Sequence, residues 1–218
     1  MLDALGQAIV TGEYDDRPFP TEAEIARAHG VSRSVTREAV KMLTAKGLVS
    51  SRPRKGTVTE PPDRWNLLDP DVLRWMLERK FSVELLRQFN QLRIAIEPEA
   101  AALAARNHVA ADLEAIRGGL KRMEAAEAGR DDPLESDIAF HVAVLEASHN
   151  PFYIQFRAMV ASALQTSILF TNLIKGRSAS VADHRAVAEA IAASDPDGAR
   201  SAMVGLIGEV LDLIDRSK

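Results

Sequence analysis

GVSRSVTREAVKMLTAKG, residues 30–47, is written as a self-capped helix with one apolar side. Ser32 stands just ahead of the first periodic residue, where its hydroxyl accepts from an orphan backbone N–H. Val35, Ala39, Val40, Met42 and Leu43 recur at three- and four-residue steps and form the predicted core stripe. Arg33, Ser34, Thr36 and Arg37 fall on the other side, which leaves two arginines one turn apart with free side chains at a helix N-terminus. A guanidinium fork matches the O6 and N7 acceptors of guanine, and the first turn of a helix-turn-helix reader is where such forks meet base edges. A solvated amphipathic helix with arginines for solubility reads the same way in isolation, so the flanks have to discriminate.

Upstream, Thr21 and Glu24 have the spacing of a capping box, Pro18 and Pro20 stop any earlier helix, and Ile25 and Ala26 supply a buried side before Gly30 breaks the segment. A short helix, a glycine turn and a longer basic helix make a helix-turn-helix. Downstream, LVSS and TVTE alternate as strands do around Arg52, Pro53, Arg54, Lys55 and Gly56, the pattern of a wing. Between Arg27 and Lys55 eight basic residues face a single acid, Glu38, so a phosphate footprint is local, with Arg54 and Lys55 at its tip. The chain as a whole carries a net charge of only −4 and is no polycation.

A length of 218 residues with 46% hydrophobic content allows two packed domains. There is no cysteine, which excludes a disulfide framework and a thiolate metal cluster, and no apolar run long enough for a bilayer. With no secretory signal in view, the expectation is a soluble cytoplasmic protein without membrane contact. Composition changes after the wing. Residues 1–62 read as a winged helix-turn-helix domain, 63–81 as a linker with a linker helix that Asp69 caps and Pro70 begins, and 82–218 as a helical domain. In that last part helices are predicted from Ser82 to about Asn107, Ala110 to Gly129, Pro133 to His149, Pro151 to Lys175, Ser180 to Ala193 and Pro196 to Arg216. The fold class is mostly α, the winged domain being followed by an all-α antiparallel bundle of six to seven helices.

Five polar groups fall on otherwise apolar helical faces. Asp137 and His141 are four residues apart, hence on one face, among Ile138, Val142 and Leu145; His184 sits beside Val181, Val187 and Ile191; Arg93 and Glu97 are again four apart. One carboxylate and two imidazoles converging from two helices would form a ligand set suited to zinc, nickel or manganese, whereas taken singly each histidine reads as a satisfied core or surface residue.

The run PTEAEIARAHGVSRSVTREAVKMLTAKGLV with the basic wing RKGTVT resembles the N-terminal winged helix of the GntR superfamily of bacterial transcription regulators. The resemblance implies that Arg33 and Arg37 contact bases or nearby phosphates, that Ser32, Ser34 and Thr36 hold the DNA backbone, and that Gly56 lets the wing approach the minor groove. Ala23 departs from the pattern, since relatives often carry arginine or aspartate there. The blocks LRIAIEPEAAALAA, ESDIAFHVAVLEASHNP, ADHRAVAEAI and DPDGARSAMVGLI are similar to the effector domain of the FadR branch, the FCD domain. That domain implies a divalent metal beneath an effector carboxylate. Asp137, His141 and His184 match three of its ligands; the fourth, a histidine of the last helix, is replaced by the apolar Leu206. Either three ligands hold the metal in an incomplete site, or the pocket takes its effector directly. Arg93 is a carboxylate clamp or a structural partner of Glu97.

The linker helix WNLLDPDVLRWMLE and the missing histidine are similar to a sugar-acid-responsive subgroup of that branch, which implies an aldonate effector. Gln165, Thr166 and Asn172 are then candidates for its hydroxyls. The family further implies a homodimer on a near-palindromic double-stranded operator, controlling the catabolism of a small carboxylate, most simply as a repressor. Two rival readings remain open at this level: a metal-dependent helical-bundle hydrolase or lyase, which lacks an accompanying acid/base pair, and an architectural DNA-binding protein with no ligand.

Overall fold

Helices begin where the sequence supplies caps. In the computed structural model, which describes residues 1–77, 82–165 and 180–216, α1 (Leu2–Val10) is followed by α2 (Glu22–His29) and α3 (Arg33–Ala45). The Thr21 hydroxyl accepts from Glu24 N at 3.3 Å while the Glu24 carboxylate accepts from Thr21 N at 2.8 Å, a reciprocal capping box. Gly30 ends α2 in the left-handed region at φ 63°, and Ser32 Oγ accepts from Val35 N to start α3. Strands β1 (Val49–Arg52) and β2 (Gly56–Thr59) pair antiparallel, from Val49 opposite Thr59 to Arg52 opposite Gly56. A short 3-10 turn (Pro62–Arg64) leads to α4 (Pro70–Leu77). The winged helix-turn-helix read from the sequence is the observed fold.

The core stripe of α3 is narrower than predicted. Thr36, Ala39, Val40 and Leu43 are buried, but Val35 and Met42 are 50% and 48% exposed. At 100° per residue these two lie about 90 to 110° from the centre of the buried arc, on its flank. Thr36 takes the inward place instead.

The chain divides by its contacts into two units, Met1–Phe81 and Ser82–Lys218. The stretch read as a linker contains a helix, α4, that is packed into the first unit. Asp69 Oδ1 caps α4 by accepting from Asp71 N and Val72 N, and Trp75, fully buried, lies against α1 at Gly6, where a Cβ would come within 2.3 Å of the indole. Its Nε1–H donates to Asp3 at 3.2 Å. The end of α3 is tied to the start of α4 as well: Lys46 Nζ donates to Asp69 at 2.8 Å and Asp71 at 2.7 Å and is only 8% exposed. Burial pulls the Lys46 pKa down, but the two carboxylates outweigh it and leave the ammonium firmer than in water. Gly47 follows at φ 75°, with the Arg64 carbonyl where a Cβ would be.

In the second unit α5 (Val83–Asn107), α6 (Ala110–Glu127), α7 (Pro133–Ala147), α8 (Pro151–Ile154), α9 (helical over 157–165 within the described residues), α10 (Val181–Ala192) and α11 (Pro196–Arg216) form the helical bundle. Ser82, Asp132, Asn150 and Ser180 cap four of them with side-chain oxygens. α11 runs along α5, α6 along α7, and α10 packs on α11 and α6. Close approach is built into composition: α5 buries Ala100, Ala101, Ala104 and Ala105, and Gly119 of α6 meets the Phe140 backbone, leaving no room for a methyl group. Ile116, Phe140, Val187, Ile191 and Met203 fill the centre. No described helix is long and apolar enough to cross a membrane.

Candidate nucleic-acid interface and metal centre

On α3 the exposed first turns carry Arg33, Ser34, Val35, Arg37 and Glu38. Thr36, expected against the DNA backbone, is corrected: it has no exposed surface, and its hydroxyl donates to the Ser32 carbonyl at 3.2 Å. Ser32 and Ser34 are exposed, with their hydroxyls 3.4 Å apart. Arg37 is exposed and steered by Glu22 at 3.7 Å. In the wing Arg54 occupies the left-handed region at φ 65° and Gly56 follows at φ 74°, so the turn projects Arg54 and Lys55 outward.

Arg33, Arg54 and Lys55 have no carboxylate partner among the described residues, whereas half of the eight basic residues do. Lys46 is withdrawn into its aspartate clamp, Arg52 pairs with Glu60 and Lys41 with Glu38. Apart from Glu38, the partnering acids Glu22, Glu60, Asp69 and Asp71 lie outside the stretch from Arg27 to Lys55.

In the bundle the three expected ligands converge. His184 Nε2 lies 2.9 Å from Asp137 Oδ1, His141 Nε2 lies 3.5 Å from the same oxygen, and the two imidazole nitrogens are 3.3 Å apart, all three residues being buried. Partners behind the rings decide which nitrogens carry protons. His184 Nδ1 is 2.6 Å from the Ser180 carbonyl and His141 Nδ1 is in short contact with Glu97 Oε2, both pure acceptors. Each Nδ1 therefore holds the hydrogen, and in the neutral ring each Nε2 presents a lone pair.

Asp137 Oδ1 accordingly lies close to two nitrogens yet has no hydrogen-bond donor. Three lone pairs facing one point repel each other, and a cation at that point removes the repulsion. Ligand atoms about 2.1 Å from a tetrahedral ion stand roughly 3.4 Å apart, close to the spacing found here. These residues fit a divalent metal. Burial raises the pKa of Asp137, but His184, His141 and Arg93 around it more than offset that.

Glu97 is the site residue that sequence reasoning missed, having been noticed only as a neighbour of Arg93. Burial opposes its charge, but Arg93 and His141 overcome that and hold its pKa at about 2. Arg93 Nε donates to Glu97 at 2.6 Å and Nη1 to Asn90 at 3.3 Å, so the guanidinium is engaged in the pair, while Nη2 lies 3.4 Å from His141 Nε2. The signal was available: a ligating histidine needs an acceptor on its other nitrogen. Leu206 packs partly buried against the bundle core and offers no donor atom. Gln165 is exposed, and Thr166 and Asn172 lie outside the described residues.

Residues 2–58 match the family model for bacterial regulatory proteins, gntR family, and residues 88–209 match that for the FCD domain. The chain belongs to the GntR family. Among GntR-family relatives, the galactonate operon transcriptional repressor of Escherichia coli (strain K12) is 34% identical over 208 residues, covering 93% of this chain and 90% of that protein. The uncharacterized HTH-type transcriptional regulator YieP of the same organism is 35% identical over 210 residues, 95% and 90% of the two chains. The solved structure of E. coli McbR/YncC superposes with a TM-score of 0.56 at 16% identity, covering 99% of this chain and 95% of that one, a likeness of fold. As a GntR-family member with an FCD domain the chain is a DNA-binding transcription regulator and not an enzyme. The hydrolase or lyase reading is set aside.

Proposed function

We propose that this regulator acts in the cytoplasm as a homodimeric repressor of an operon for sugar-acid catabolism. In this reading residues 1–62 bind the operator, 63–81 link, and 82–218 bind effector and dimerise. Arg33 and Arg37 address bases, Ser32 and Ser34 the backbone, and Arg54, Lys55 and Gly56 the adjoining groove. Asp137, His141 and His184 hold one zinc, nickel or manganese ion, and the ion takes the carboxylate of a small hydroxy acid such as an aldonate.

The observation that carries the effector half is the convergence of three ligand atoms, one each from Asp137, His141 and His184, on one buried point. Charge agrees with it. Among the described residues of the second unit the buried charges are Arg93, Glu97 and Asp137, a sum of −1 with neutral imidazoles. A divalent ion turns that to +1, which favours an anionic ligand in a low-dielectric pocket. Three protein ligands leave positions open for oxygen atoms from the effector. The name of the galactonate repressor supports an aldonate in particular. Binding that prefers one dimer arrangement by about 1 to 3 kcal/mol suffices to change operator occupancy.

The test is a thermal-shift series on the full chain with zinc, nickel or manganese, with and without chelator, followed by aldonates, uronates and simple hydroxy acids. Chelation is expected to lower the midpoint, metal to restore it, and one aldonate to raise it further while releasing bound duplex; a ligand at a hundred times its Kd adds about 2.7 kcal/mol. A protein indifferent to chelator, metals and every acid would overturn the effector reading.

A further inference from the structure

We infer that Val35 is a specificity-determining residue, reading the C5-methyl group of a thymine in the operator. The inference rests on α3 being the reader, as proposed above. Among the described residues of the first unit the exposed large hydrophobics are Val35, Met42, Leu67 and Leu68, and two of the four lie on this one helix. Nothing in the fold asks for valine there. Val35 is half exposed, so packing does not require it, and a β-branched side chain lowers helix propensity at a site where many residues would serve.

Its position sharpens the point. Val35 is the third residue of α3, its own N–H bonded by the Ser32 cap. The equivalent position of α2 holds Glu24, which closes the capping box on Thr21 and sits favourably at the positive end of the helix. α3 repeats the serine/threonine cap but forgoes the carboxylate. A carboxylate there would meet phosphates and base acceptors; a methyl-bearing side chain meets a thymine methyl.

The helical angles place Val35 on one flank and Arg33 with Arg37 on the other, with Ser34 and Glu38 between. The arginines and the valine therefore address different base pairs. Valine is short, so only a first-turn position brings it to the floor of the major groove. Met42, seven residues on and about 10 Å further along the axis, lies beyond that turn.

Duplexes are selected from a random pool with the full-length wild-type chain at low salt, and each thymidine of the enriched half-site is replaced in turn by deoxyuridine. Wild type is expected to lose about fourfold in affinity at one or two thymines, the equivalent of one buried methyl group. Val35→Thr, which keeps one methyl, should retain that loss, and Val35→Ser, identical but for the methyl, should be blind to the replacement. An enriched site with no uracil-sensitive thymine, or equal sensitivity in Val35→Ser, overturns the inference while leaving the reader assignment intact. Failure of wild type to enrich any sequence overturns both.

Discussion

Replacing Glu97 by glutamine removes one charge and almost no volume from the centre of the second unit. In the folded chain the Glu97 carboxyl titrates near 2, against 4.5 for a free side chain. A gap of about two and a half pH units at about 1.4 kcal/mol each is on the order of 3 kcal/mol of stability. Because the folded pKa is the depressed one, this contribution is complete above 4.5 and drains away as the pH falls toward 2. The variant also leaves the buried Arg93 guanidinium without its counter-charge, a loss that points the same way. Urea unfolding of wild type and Glu97→Gln at several pH values reads both effects. At pH 7 the variant should be less stable by roughly 3 kcal/mol, and by pH 3 the difference should shrink to about half or less. A loss of metal affinity of about 10- to 100-fold should accompany it, since His141 would no longer be held by a carboxylate. A difference below about 1 kcal/mol at pH 7, or one that does not change with pH, would refute the account of Glu97 as the charged hub of the cluster.

Arg33→Ala should weaken binding to an enriched duplex by about 1 to 3 kcal/mol and hardly affect a scrambled one, whereas Lys55→Ala should weaken both alike; titrations of each duplex at fixed salt check this, and equal losses on both from Arg33→Ala would remove it from base reading. Metal affinity should fall as the medium is made more acid, because a proton on either Nε2 takes the lone pair the ion needs; isothermal titration at pH 8, 7 and 6 would show a flat profile if the histidines are not ligands. Lys46→Met should lower the stability of the first unit by about 1 to 3 kcal/mol by leaving Asp69 and Asp71 facing each other, and unfolding in low and high salt should show the loss easing as salt screens the two carboxylates. If the variant is as stable as wild type, the clamp contributes nothing net.

The helices were legible because their ends are marked locally: Thr21 with Glu24, Ser32, Asp69 with Pro70, Asp132 with Pro133 and Ser180 lie where the structure starts a helix. Side-chain direction was less legible. Thr36 and Val35 depart from their expected exposure because a polar residue whose hydroxyl bonds back to the Ser32 carbonyl can turn inward, and composition alone gives no sign of that bond. Helical spacing brings Asp137 and His141 of the candidate triad to one face, while His184, on another helix, was favoured through the resemblance to the FCD domain. The supporting carboxylate was not legible, since Glu97 reaches His141 across 44 positions of sequence and only the packing of α5 on α7 joins them. Lys46 was misjudged for the same reason: the acids that bury it stand 23 and 25 residues further on.

The seating of Trp75 bears on how the reader is to be isolated. A fragment cut at residue 62 retains both strands of the wing but loses the indole that covers Gly6 and the lysine clamp that fixes the tail of α3. Its greasy cleft would open to solvent and invite self-association. A cut after residue 77 keeps the plug in its socket, and that longer piece is the one from which to build a free-standing operator probe.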